Sequence, residues 1–188
     1  MYWFSILSHE PYKLHQYFKS LSYSKKLVLT ALLSALAATL QSTGNLLPGV
    51  GYFISPFATA PILICTLVSI PLGLQSYILT VLLLIFIQPG EFFVFTFTTG
   101  LVGLGIGIAI PILKRRIGII IFTSFLLWCG ICFLLYIVRF PVLGPFTSTS
   151  PTLRVIGFIY IFSFIFSWGW VEISRIIFKK WYKLMGKI

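Results

Sequence analysis

The side chains that could support chemistry in this 188-residue chain are few, and most of them border apolar stretches. Glu91 directly follows Pro89 and Gly90 and opens an apolar run. Its carboxylate could be stabilised by a helix start, or it could contact a ligand, because ionisable groups at the edge of an apolar bundle are costly and tend to be functional. Arg139 and Arg154 border a later polar stretch, where they could bind a carboxylate or phosphate or extend towards lipid headgroups.

Asn45 is the fourth polar residue of this kind, and it lies in the sequence GNLLPGVG of residues 44–51. So many Gly and Pro residues predict a loop rather than a helix. The predicted substrate-binding residues are therefore Asn45, Glu91, Arg139 and Arg154.

The sequence WCGIC, from Trp128 to Cys132, is similar to a redox-active motif. A thioredoxin-type site needs a preceding strand and a helix start at the first cysteine, which lowers the pKa of the thiol. Cys129 and Cys132 instead lie within an apolar run, where small apolar core residues are the simpler interpretation. A quinone-linked membrane thiol oxidoreductase could carry this pair in a helix, but it would also need a second pair in an outer loop.

Other catalytic chemistry is poorly supported by the residues available. His9 and His15 precede the first long apolar run, so histidines cannot build a metal site between the helices. Three Glu and no Asp do not predict a protease pair, and the motif GxxxxGK[ST] does not occur. We expect no enzyme activity, no cofactor and no bound metal.

Composition indicates that the natural solvent is a bilayer. The chain is 59% hydrophobic and 9% charged, whereas about 25% of residues are charged in a soluble domain. The net charge of +11 does not predict nucleic-acid binding, because long charge-free stretches separate the basic residues. At about 20 residues per crossing, loops leave room for about five or six crossings.

We predict an all-α integral membrane protein with a bundle of six transmembrane helices in residues 27–178. The first 26 residues form a cytoplasmic lead-in, with an interfacial helix predicted from Pro11 onward, and residues 179–188 form a basic cytoplasmic tail. The expected crossings cover residues 27–40, two shorter runs within 53–88 that divide near Pro71–Gly73, and residues 91–113, 117–138 and 153–178.

Six crossings place twelve of the fourteen Lys and Arg residues on one side, together with both termini. The positive-inside rule makes that side cytoplasmic and leaves only Arg139 and Arg154 outside. If residues 53–88 crossed once, the cluster from Lys114 to Arg116 would change sides and the asymmetry would be lost.

Small residues form a stripe along the first predicted helix at positions Ala31, Ser34, Ala35, Ala38 and Ser42. Small residues allow helices to approach closely in lipid, so the stripe indicates either packing within the bundle or a docking surface for another membrane protein.

Two further pairs predict local contacts. Gly103 and Gly107 form a GxxxG pair that favours close helix packing. Glu172 and Arg175 are one helical turn apart and predict an ion pair.

The six short helices, the sequence Ala31–Ala35 (AxxxA) and the Gly/Pro-rich first outer loop resemble the substrate-binding S component of energy-coupling factor (ECF) vitamin transporters. The resemblance implies a bacterial cell-membrane protein that captures a vitamin or related micronutrient outside. Its partners would be a transmembrane coupling protein and ATPase subunits, with Ala31, Ala35 and, on the same stripe, Ala38 as partner contacts.

The alternative function is a non-transport membrane scaffold of the cell envelope. A scaffold would use the same small-residue stripe, but it would not need Glu91, Arg139 and Arg154 to converge. A closed outer cavity lined by these residues favours binding, whereas a solid bundle with charges splayed outward favours a scaffold.

Overall fold

The chain forms six helices that are long and apolar enough to cross a membrane, within the part that the structure describes. The structure, a computed structural model, describes residues 22–47, 49–113, 115–140 and 153–185, and it describes side chains up to residue 177. The helices are α1 (Tyr23–Leu46), α2 (Gly51–Val68), α3 (Ile70–Ile87), α4 (Pro89–Ile112), α5 (Arg116–Val138) and α6 (Leu153–Met185).

The prediction of two helices within residues 53–88 is confirmed. The division falls at Ser69, whose backbone is extended, and not at Pro71–Gly73. Pro71 instead lies in the first turn of α3, where its missing N–H removes no helical hydrogen bond.

Two of the helices extend beyond the predicted crossings. The helix α1 covers Tyr23–Leu46 and not residues 27–40, because Lys25 and Lys26 are tolerated in its first turns and Gly44 continues it. The helix α6 continues to Met185, past the predicted start of the tail. The predicted interfacial helix in the N-terminal segment falls almost wholly on residues outside the described part, as do the side chains of the tail.

Three of the helices are irregular in their backbone. In α2, a 3-10 turn at Ser55–Ala58 separates Gly51–Ile54 from Thr59–Val68. The helix α4 is interrupted at Thr98, with φ −124° and ψ −91°. The last six residues of α5, Phe133–Val138, are a π-helix. Irregular backbone inside a membrane bundle must have its polar groups satisfied by neighbouring helices.

The helix α4 occupies the centre of the bundle. In the 18-residue apolar stretch of α4, 67% of the residues are buried, compared with 28% in the corresponding stretches of α3 and α6. It packs against α2, α3 and α5, whereas α6 packs mainly on α5.

Glycines in α4 allow this helix to pack closely at the centre of the bundle. A Cβ atom on Gly103 would lie 2.8 Å from the Thr59 carbonyl oxygen, and one on Gly107 would lie 2.5 Å from the Thr66 Cβ. On the other side of Thr66, a Cβ on Gly73 of α3 would collide with it. The structure therefore shows the GxxxG pair in contact with α2, as its spacing predicts.

Contacts between helix ends define two ends of the bundle. At the "Glu91 end", the Glu91 carboxylate lies against Gly44 near the end of α1, and the Phe93 and Phe140 rings are 5.8 Å apart. At the "Arg116 end", the start of α5 meets the later part of α6 through Arg116 and Glu172.

We predict that Gly107→Ala destabilises the bundle by about 1–3 kcal/mol, the usual cost of overpacking, because the new methyl group would overlap the Thr66 side chain. Thermal unfolding in mild detergent measures the effect. The matched control is Gly157→Ala on α6, where a Cβ meets nothing within 4 Å. Equal melting temperatures for the two variants would contradict close packing at Gly107.

Candidate functional site

Glu91 is the buried acid of the Glu91 end. It lies in the first turn of α4, after Pro89 starts the helix, and the residue is 5% exposed. The side chain of Gln41, on α1, donates a hydrogen bond from Nε2 to Glu91 Oε2 at 2.7 Å. A neutral amide thus contacts this carboxylate, and none of the ion pairs among the described residues includes it.

Gln41 holds the site together because it uses both ends of its amide. It is fully buried, and its Nε2 also donates to Ser55 Oγ on α2 at 3.2 Å. Its Oε1 accepts a hydrogen bond from Thr99 Oγ1 at 2.7 Å. Glu91 and Thr99 lie on opposite sides of the break at Thr98, so one side chain joins both halves of α4 to α1 and α2.

Neighbouring hydroxyl groups satisfy backbone carbonyls around this break. Tyr77 on α3 donates from its hydroxyl to the Thr96 carbonyl at 2.8 Å, and Thr59 donates to the Thr99 carbonyl at 3.1 Å. These bonds supply donors to carbonyl groups beside the interruption in the helix, which explains how the break is tolerated in an apolar bundle.

The second oxygen of Glu91 faces the backbone of α1. A Cβ added at Gly44 would lie 2.6 Å from Glu91 Oε1, so a larger residue would require this carboxylate to shift. No hydrogen-bond donor of the described residues is found on Oε1. This oxygen is therefore an acceptor that the surrounding protein leaves unused.

Asn45 lies beside the same site. A Cβ on Gly90 would be 3.0 Å from Asn45 Nδ2, so the amide borders the residue that precedes Glu91. The prediction that Asn45 belongs to a loop was wrong, because α1 continues through Gly44 to Leu46. Asn45 is exposed in the last turn of α1.

Arg139 and Arg154 do not join this site. Both side chains are exposed, and neither forms an ion pair with another described residue. Arg139 follows the π-helical turn with a left-handed backbone, at φ 58°. The structure thus brings Asn45 and Glu91 together, and it shows no contact between either arginine and them.

Sequence reasoning missed Gln41, Ser55 and Thr99. The available signal was the position of Gln41, since Ser34, Ala38 and Gln41 follow one another at helical spacing on one face of α1. An amide that continues a stripe of small residues predicts a buried hydrogen-bonding partner, because a buried amide must be satisfied.

The small-residue stripe of α1 is divided between two surfaces. Ser34 and Ala38 are buried in the bundle, and Ser34 Oγ lies 2.9 Å from Ser76 Oγ on α3. Ala31 and Ala35 are exposed on the outside of the bundle. Of the three predicted partner contacts, only Ala31 and Ala35 are therefore accessible to another protein.

The cysteines of the WCGIC sequence are both free thiols. Cys129 is exposed and Cys132 is half-buried, whereas Cys65 is buried. The neighbouring Trp128 donates from its indole to the Ile156 carbonyl at 3.3 Å, which joins α5 to α6. Among the described residues, no disulfide forms, and no cluster of three metal-ligating side chains is found.

The predicted ion pair on α6 is present, with Arg175 Nη1 3.6 Å from Glu172 Oε2. Sequence reasoning did not anticipate the second partner of this acid. Arg116 Nη1, on α5, lies 3.4 Å from Glu172 Oε1.

No family model, no curated protein and no solved structure matches this chain.

Proposed function

We propose that this chain is the substrate-binding membrane subunit of an ECF-type importer and that it captures a vitamin-like micronutrient at the Glu91 end. The observation that carries the proposal is the buried Glu91 carboxylate, whose Oε1 has no donor from the described residues. Burying an incompletely paired carboxylate is costly. A donor group on a ligand would offset that cost.

The surroundings of Glu91 support binding of a small molecule. Ligand sites in helical bundles combine apolar walls with a few fixed polar groups. Gln41 is held by Ser55 and Thr99, so it fixes the orientation of the Glu91 carboxylate. Asn45 adds an exposed amide at the rim.

The transport step requires other proteins. The sequence has no GxxxxGK[ST] motif, so ATP hydrolysis belongs to ATPase subunits that act through a transmembrane coupling protein. The exposed Ala31 and Ala35 offer that protein a close approach to α1, because small residues favour helix contacts in lipid. In this arrangement the Arg116 end faces the cytoplasm.

A membrane scaffold is the second candidate, and the exposed positions of Arg139 and Arg154 favour it. In a scaffold, the Gln41 network would serve only to stabilise the broken helix α4. The two functions differ in whether Glu91 contacts a molecule from outside the chain.

We predict that co-expression with ATPase and coupling subunits, followed by native mass spectrometry in mild detergent, reveals a bound small molecule. Glu91→Gln should remove that molecule, because the variant keeps the shape of the side chain and an acceptor for Gln41 but loses the charge. The matched control is Glu172→Gln at the opposite end of the bundle, which should retain the molecule. Recovery of neither partner nor ligand in several detergents would favour the scaffold.

We predict that Ala35→Leu prevents co-purification with the coupling protein and leaves the melting temperature unchanged, because Ala35 is exposed and its face is open. Gly157→Leu adds a side chain to an open surface of α6 and should leave co-purification intact. Partner recovery with Ala35→Leu equal to that of the parent chain would exclude this surface of α1 as the coupling contact.

We predict opposite labelling of two exposed arginine positions in intact cells. In a chain without its three native cysteines, a membrane-impermeant maleimide should label Arg139→Cys and should label Arg115→Cys only after the cells are opened. Labelling of Arg115→Cys in intact cells would reverse the orientation and place the Glu91 site on the cytoplasmic side.

A further inference from the structure

The Arg116 end holds more guanidinium groups than carboxylates. Glu172 accepts Arg116 on one oxygen at 3.4 Å and faces Arg175 with the other at 3.6 Å. Arg115 precedes Arg116 and is exposed, with no ion pair to a described residue. Two arginines therefore contact a single acid and a third adjoins them in the chain, so this end carries excess positive charge that attracts an anion.

Of the two arginines that contact Glu172, Arg175 is the more accessible one. Its side chain is 35% exposed, whereas that of Arg116 is 5% exposed. A guanidinium has five N–H donors in a fixed fork that matches the oxygens of a phosphate. The 3.6 Å approach to Glu172 is made by one nitrogen of this fork, Nη1, so the other donors of Arg175 are not used by this ion pair.

An apolar surface leads from this arginine towards the middle of the bundle. Ile161, Ile165 and Trp168 are exposed and precede Arg175 by 14, 10 and 7 residues, spacings that place them on its face of α6. At 1.5 Å per residue, this surface extends about 21 Å from Arg175. That length matches an acyl chain that reaches towards the bilayer centre, since half of a hydrocarbon core is about 15 Å and chains tilt.

We propose that this arrangement is a binding site for an anionic phospholipid, with its phosphate at Arg115 and Arg175 and one acyl chain along Ile161, Ile165 and Trp168. A charged group at the end of the spans and an apolar surface below it match the two parts of a phospholipid. A free phosphate would use only the arginines. A soluble protein partner would contact the arginines but would not reach the apolar surface within the membrane.

The test uses the purified full chain in detergent, with phosphatidylglycerol or phosphatidylcholine added and bound lipid counted by native mass spectrometry. We expect phosphatidylglycerol to bind about tenfold more tightly than phosphatidylcholine. Arg175→Gln should weaken phosphatidylglycerol binding about tenfold, the effect of losing one strong charge-assisted contact. Arg154→Gln makes the same charge change at the other end of α6 and should change binding by less than about twofold, because it lies outside the site.

Arg115→Gln is the second variant, since its exposed side chain has no ion pair to a described residue whose loss would disturb folding. Like Arg175→Gln, it should weaken phosphatidylglycerol binding. Equal losses for Arg175→Gln and Arg154→Gln would overturn the site, as would equal binding of the two lipids. Full displacement of the lipid by inorganic phosphate would show an anion site without lipid recognition and would also overturn it.

Discussion

The structure depends on one buried amide. Gln41 donates to Glu91 and accepts from Thr99, so a single side chain spans the interruption in α4 and connects both halves to α1. Without it, the carboxylate would lose its donor and the two halves would lose their common partner. Buried polar networks are stable only when their members are satisfied, which makes Gln41 more restricted in identity than any apolar residue around it.

The break in α4 and the glycines of α4 serve the same arrangement. Gly103 and Gly107 allow the part of α4 after Thr98 to pack against α2, at distances that a side chain would prevent. The part before the break, Pro89–Phe97, carries Glu91 and places it against Gly44. The closely packed part of α4 and the part that carries the acid therefore lie on opposite sides of the break at Thr98.

The sequence predicted the number of helices and much of their placement, because each needs a long apolar run and Gly or Pro residues mark most of the divisions. It did not predict that Gly44 lies within a helix and against Glu91, because that contact joins residues 47 positions apart. The pair of Arg116 and Glu172, 56 positions apart, was missed because it also depends on long-range packing. Local pattern predicts helices, whereas the partner of a polar group depends on packing between helices.

The two ends of the bundle differ in whether their buried or half-buried acid forms an ion pair. At the Arg116 end, the acid Glu172 is shared between two arginines. At the Glu91 end, the exposed Arg139 follows α5 yet forms no ion pair with the acid. An internal ion pair at Glu91 would satisfy Oε1 from within the chain and leave no acceptor for an outside group. The described part of the chain therefore leaves Glu91 with a hydrogen bond from a neutral amide and without an ion pair, the reverse of the arrangement at Glu172.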